Sequence, residues 1–440
     1  MANLDLLVRW KVTALFLALA TATAHLLAGA EGDGLRVDPN DARLAARPEL
    51  AAKLRATAYG YFRFVNAGFE QETCRLFADV AAALPEVNLH GDAHVEQYAV
   101  TSLGRGLTDF DDTTKGKPVI DLVRFGASLL LAAREKGWGD ESTFLDAFLR
   151  GYRGALRDPR MDAPTPHLVT RIRKGFSWSH APALVKAHSL IDADPAPPEA
   201  FAAAAAQFDS LIRSTRSDLP PDFFKVKAAG ALKMGIGSAL DEKYLLVFEG
   251  FTSSPTDDLI VEAKQIRDLP QNPCLRADLG ASRVLDGQNL IAYEPFPFAA
   301  VVPRGERHFW VHDWPDDYKE VKIAKGLDSR RDLSELAFDA GVQLGRAHPK
   351  KAGGQRDRER QREVLDALNG LEARIRQASR TLADRTEAAW REYREPARKP
   401  PRVLLGPGQP ESSGHARYRL RGVPSRRPKG PPYCLGGSSG

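Results

Sequence analysis

The chain has 440 residues, of which 43% are hydrophobic and 27% charged, the balance of a globular protein large enough for a two-lobed core. Its net charge of +5 is local, because residues 399–440 carry eight Lys or Arg against one acid, Glu411, leaving 54 basic and 56 acidic residues elsewhere. A body that is slightly acidic excludes a basic nucleic-acid-binding domain, and three scattered cysteines, Cys74, Cys274 and Cys434, offer no disulfide framework and no zinc pattern.

Arg9 and Lys11 precede an apolar run over residues 12–24, and small-residue sites follow at Ala22-Thr23-Ala24 and Ala28-Gly29-Ala30. Residues 1–30 therefore read as a secretory signal or an uncleaved membrane anchor. That predicts an exported, periplasmic or membrane-anchored protein with N-terminal membrane contact; a misassigned start would make it cytoplasmic. Residues 31–47 read as a linker, and residues 48–84 as helices ended by Pro85. A short strand at 87–89 leads into His90-Gly91-Asp92-Ala93-His94, and Asp109-Phe110-Asp111-Asp112 follows.

Residues 113–117 read as a turn. Pro118 suits the first turn of a helix, and residues 120–134 are apolar nearly all round, as in a buried helix. Helices continue to Pro220-Pro221. The period then changes to short strands at 224–228, 244–248, 259–265, 289–293, 299–302 and 308–312. Helical spacing returns over 333–348 and, with Leu365, Leu368, Leu371 and Ile375, over 354–396. The predicted organisation is a helical lobe over 48–222, a β-rich lobe over 223–315, helices over 316–396 and a disordered basic Pro/Gly-rich tail over 397–440. The fold class is α+β with a segregated antiparallel sheet.

Phosphoryl transfer needs a carboxylate to accept or orient the hydroxyl proton, and hard oxygen ligands for Mg²⁺. Asp92 followed by Gln97 and Asp109 supplies that set, with Asp111 as a further ligand. A Gly-rich turn, Gly235-Ile236-Gly237-Ser238, lets backbone N–H groups approach phosphate. Lys264, two strands on, can neutralise it. Asp121 either caps its helix or, as in kinase-like folds, holds the catalytic-loop backbone. His90, Asp92 and His94 with Asp109 or Asp111 form an alternative set for a metal-dependent hydrolase. His312-Asp313-Trp314 is a surface turn or an adenine-contacting hinge, and Asp286 is a candidate partner for Lys264.

These motifs resemble those of aminoglycoside phosphotransferases and other kinase-like enzymes. More closely, the chain resembles the bacterial family known as domain of unknown function 2252, through Gly91–His94, Asp109–Asp112, residues 121–128, 235–238 and 261–264, over roughly residues 48–350. The resemblance implies a two-lobed protein-kinase-like fold that uses ATP and Mg²⁺. Asp92 would be the catalytic base, with His90 and His94 beside it. Asp109, Asp111 and Gln97 would bind metal, Gly235, Gly237, Ser238 and Lys264 would clamp the nucleotide, and Asp121 would be a support. Gln97 stands where kinases place Asn, and Leu240 where they place a third glycine. The catalytic and metal segments precede the glycine turn and lysine, an order that implies circular permutation with the cut between the helix at 333–348 and the catalytic loop. The expected acceptor is an unidentified hydroxyl compound, with no specific nucleic-acid partner. A degenerate, non-catalytic kinase-like nucleotide- or partner-binding protein is the alternative reading.

Overall fold

The structure is a computed structural model that describes residues 33–102, 104–351 and 357–395. The predicted signal or anchor and the basic tail lie outside the described residues. Residues 33–47, which read as a linker, pack instead: Leu35 and Leu44 are buried in the main core. The architecture is mixed α+β, and every described strand pair is antiparallel.

Helix Val119–Glu135 is the axis of the larger core. Fifteen of its 17 residues are buried, so the absence of a polar face in the sequence translates directly into neighbours on all sides. Helices Asn66–Leu76, Ser142–Arg157 and Arg358–Arg394 pack against it, and Arg330–Ala347 packs on Ser142–Arg157. The last of these begins with a capping box, in which Ser329 and Asp332 exchange side-chain-to-backbone hydrogen bonds.

Two small sheets are built into this helical half. Strands β1 (Val87–Leu89) and β4 (Thr114–Gly116) pair with each other, so the predicted turn at 113–117 is a strand. Strands β2 (Tyr98–Thr101) and β3 (Arg105–Leu107) pair with β11 (Tyr318–Glu320).

The larger sheet has the order β5-β6-β7-β8-β10-β9. Its strands are β5 (Pro195–Ala196), β6 (Val226–Ala231), β7 (Lys243–Phe248), β8 (Leu259–Gln265), β9 (Ala299–Arg304) and β10 (Arg307–Asp313). Helix Ala202–Arg213 covers one face through Phe208 and Ile212 against Leu246, Phe248 and Val311. Helix Ala181–Ala193 covers the other through Ala187 and Ile191 against Leu245 and Val247. Chain order alone had put both helices in the helical lobe. The predicted strand at 289–293 belongs to helix Arg283–Ile291; its run of Leu290 and Ile291 is too short for periodicity to separate strand from helix.

The sequence reading of the cysteines also needs correction. Cys74 and Cys274, 200 residues apart, form a disulfide. No local spacing announces this pair. It forms because the Cys274 carbonyl docks on Lys117 N at 2.9 Å, beside β4, and β4 lies in the helical half. Replacing both cysteines with serine is expected to lower the unfolding free energy by about 2–5 kcal/mol. Urea titration with and without reductant checks this, since reduction should bring the native protein to the variant's midpoint.

Candidate active site

Side chains alternate across a strand, and on β8 and β10 that alternation builds one wall of a cavity. Val261 and Ala263 face the core with Phe309 and Val311. The intervening residues Glu262, Lys264, Trp310 and His312 line a cavity of about 640 Å³. Lys264 pairs in register with Trp310 on one side and Lys243 on the other. The turn joining β6 to β7 adds Gly235, Gly237 and Ser238, and the helical half adds Asp92, Gln97, Asp109 and Asp111. Eight of the site residues picked out in the sequence thus line one space, and Asp121 lies behind it.

The segment His90-Gly91-Asp92 is held from behind. Asp121 accepts hydrogen bonds from His90 N at 2.7 Å and Gly91 N at 3.0 Å, and it makes no helix cap. Gly91 has φ +82°, and a Cβ there would overlap the Asp112 carbonyl, so only glycine fits. His348 Nε2 also meets Asp121, at 3.2 Å. Asn88, in β1, bonds to Ala347 O at 2.9 Å and donates its backbone N–H to His348 O at 3.1 Å. The end of helix Arg330–Ala347 therefore abuts the strand that leads into His90-Gly91-Asp92, across a separation of about 260 residues.

Asp92 is buried and ion-paired to the fully buried Arg124, whose Nε lies 2.7 Å and Nη2 2.5 Å from Oδ1. Burial alone would raise the Asp92 carboxyl, but Arg124 and His94 outweigh it and hold the group well below the ordinary carboxylate range. The Arg124 guanidinium lies over the Phe62 ring, 4.1 Å from its centroid, and 5.2 Å from that of Phe69, which meets Phe62 edge to face. The sequence reading missed Arg124; its one signal was an arginine in the middle of an otherwise apolar helix.

Asp109 has φ +67°, a left-handed conformation that costs energy for a residue with a side chain. It turns its carboxylate onto the Lys264 ammonium, and Asp111 Oδ2 reaches the same nitrogen at 2.9 Å. Burial would raise Asp109, but Lys264 holds it down; burial and then the Asp109 charge push Asp111 up. Two adjacent carboxylates with one of them destabilised is a donor set that a divalent cation would relieve, and hard carboxylate oxygens suit Mg²⁺. Among the described residues no group of three or more His, Cys, Asp or Glu is arranged to hold a metal. Gln97 Nε2 donates to Asp109 Oδ2 at 3.1 Å, so as placed its amide supports the carboxylate.

Arg267 was also missed. It spans the two halves, bonding both Asp112 oxygens at 3.0 Å, Asp241 at 3.3 Å and Gly237 O at 3.3 Å. Lys243 Nζ donates to Met234 O and, at 3.3 Å, to Ser238 Oγ, which fixes the glycine turn from below; burial depresses its ammonium. Gly237 lies close to the helical half: a Cβ there would sit a tight 3.3 Å from Arg63 O and in ordinary contact, 3.7 Å, with Asp92 Oδ2. Leu240, where a third glycine was expected, packs against the main core.

Three expectations are corrected. His90 and His94 are fully buried and are not among the residues lining the cavity. His90 Nε2 meets Thr108 O at 2.9 Å, and His94 lies 3.4 Å from the Tyr59 hydroxyl and 3.6 Å from Asp92. His90 Nδ1 and His94 Nε2 have no hydrogen-bond partner among the described residues, but neither histidine lines the cavity. Asp286 is exposed; its helix instead contributes Arg283, which bonds Asp111 O at 2.6 Å and Thr113 O at 2.7 Å. His312 lies in β10, not in a surface turn, and stacks on Phe296 with ring centroids 4.2 Å apart.

Arg124→Met should destabilise the protein by about 3–5 kcal/mol, since it leaves Asp92 buried and unpaired. In the native protein the depressed Asp92 contributes stability above the unfolded carboxylate pKa and loses it as pH falls through the folded value. The variant should lack that contribution, and pH-dependent thermal denaturation of the two proteins checks both statements.

No curated protein and no solved structure matches the chain. A family profile does match, over residues 45–174 and 178–396, a span that takes in the whole cavity and the long C-terminal helix. The chain belongs to the bacterial family described as "Uncharacterized protein conserved in bacteria (DUF2252)".

Proposed function

We propose that the protein is a kinase-like phosphotransferase that moves the γ-phosphoryl group of ATP to a hydroxyl acceptor. The observation that carries this reading is the convergence of Asp92, Asp109 and Asp111 with Lys264 and the Gly235–Ser238 turn on one cavity. Those groups come from segments more than 100 residues apart in sequence, and phosphoryl transfer is the chemistry that needs all of them at once.

In this reading Lys264 and the backbone N–H groups of the glycine turn hold the phosphates. Asp109 and Asp111 hold Mg²⁺, with Gln97 beside them, and the ion would neutralise charge building up on the phosphate oxygens. The acceptor oxygen forms a bond to the γ-phosphorus as the bond to the β,γ-bridging oxygen breaks and ADP leaves. The hydroxyl proton passes to the Asp92 carboxylate and then to water. Arg124 keeps Asp92 ionised and oriented. The aromatic wall of Phe296, Trp310, His312 and Trp314 suits a stacked base.

A two-lobed, circularly permuted kinase-like fold is part of the proposal. The contact between the end of helix Arg330–Ala347 and Asn88 supports it, because joining the chain at that point would put the glycine turn, lysine, helix, catalytic Asp and metal Asp in the ordinary order along the chain.

A non-catalytic nucleotide-binding role is the second reading. It draws on Asp92 being neutralised by Arg124, which weakens it as a base, and on the Gln97 nitrogen facing Asp109. The Cys74–Cys274 disulfide favours an oxidising compartment, in keeping with export, where ATP is scarce.

Adding ATP and Mg²⁺ at about 100 times Kd should stabilise the protein by about 2.7 kcal/mol, and Lys264→Met should abolish the rise in Tm. Asp92→Ala and Asp109→Ala should each cut nucleotide turnover by about 10²–10⁴-fold. A Tm rise with no turnover in the native protein selects the second reading; no Tm rise defeats both.

A further inference from the structure

The charges around the cavity are unevenly spent. Those at its inner end are committed to one another: Lys264 to Asp109 and Asp111, and Arg267 to Asp112 and Asp241. The outer end is different. Lys53, Arg63, Lys319 and Lys322 line it, with Glu96 and Glu320 as the nearby carboxylates.

Both of those carboxylates are occupied. Glu96 accepts from Arg63 at 2.9 Å and from Ile323 N at 3.1 Å, and Glu320 pairs with Lys322. Asp92 adds no net charge, because Arg124 neutralises it from within the core. Within this group four cations stand against two carboxylates, a local excess of +2, and the further lining residues Lys186 and Glu262 offset one another. Lys53 and Lys319 are exposed and make no ion pair among the described residues. Arg63 Nε is buried without a hydrogen-bond partner among them. The tip of the glycine turn reaches the same region: a Cβ on Gly60 would lie 3.0 Å from Lys53 O and 3.9 Å from the Ile236 side chain.

A partly enclosed surface of one sign concentrates ligands of the other. We infer that the acceptor is a small anion, whose carboxylate or phosphate group is held by Lys53, Lys319 and Lys322 while its hydroxyl lies against Asp92. This rests on the phosphotransferase reading and names its substrate class. A neutral sugar or alcohol would leave Lys53 and Lys319 unanswered, whereas Lys322 already has Glu320. Asp92 does not repel an anion, since its own charge is already met by Arg124.

The test uses the full chain with a non-hydrolysable ATP analogue and Mg²⁺, titrated calorimetrically with glycerol, glycerate and glycerol 3-phosphate. At least one of the two anions should bind about ten-fold or more tightly than glycerol, the margin of one charge-assisted hydrogen bond. The two anions distinguish a carboxylate from a phosphate site. The triple variant Lys53→Ala, Lys319→Ala, Lys322→Ala should lose the preference, and the corresponding triple Lys→Arg variant should keep it. Because the lysines are exposed, the alanine variant's ligand-free Tm reports whether it folds. Equal binding of glycerol and both anions, or no binding of either anion, overturns the inference, as does a preference that survives the alanine variant. Anion preference without a nucleotide-induced rise in Tm overturns the phosphotransferase reading instead, while a nucleotide-induced rise without anion preference overturns this inference alone.

Discussion

The Lys264 ammonium, set between the carboxylates of Asp109 and Asp111, is the interaction on which the rest of the site depends. It is buried, and so is Asp111. A buried charge is tolerable only when it is paired, so each partner fixes the other. Lys264 belongs to the central region of the larger sheet, and the two aspartates belong to a short turn in the helical half. Their pairing therefore sets the distance between the two halves and, with it, the dimensions of the cavity.

The same requirement organises the neighbouring aspartates. Asp92 is met by Arg124, which rises from the most buried helix of the fold. Asp112 is met by Arg267, which also grips the glycine turn through Gly237 O. Arg283 satisfies the backbone carbonyls around Asp111. Each of the four aspartates is thus met directly by a cation from another segment: Arg124, Lys264 or Arg267. Positioned in this way, carboxylates stay ionised and oriented without reorganisation when a charged ligand arrives.

That rigidity has a chemical consequence. An aspartate neutralised by a buried guanidinium is a poor proton acceptor, yet it no longer repels an anion. In the proposed reaction, the arrangement that weakens Asp92 as a base is the one that would let a negatively charged acceptor approach it. Under the same proposal the lysines at the outer end of the cavity would have a role distinct from that of Lys264, which is paired with Asp109 and Asp111.

Much of this was legible in the residues themselves. The short-range signals held: period-two runs became β7 and β8, and the apolar stretch after Pro118 became the central helix. Asp92, Asp109, Gly235 and Lys264 carried recognisable chemistry at recognisable spacings. Each of these depends on residues within about one element of each other, which is the range over which backbone geometry writes a pattern into sequence. The Cys74–Cys274 bond, the inward turn of His90 and His94, the helix at Arg283–Ile291 and the pairing of Asp92 with Arg124 carried no such pattern. They were decided by packing and by charge compensation across long separations, which act only once the chain has closed on itself. The sequence by itself determined which groups could take part in the chemistry; only the tertiary structure decided which of them share a cavity, because burial leaves each charge no choice but the partner that folding brings to it.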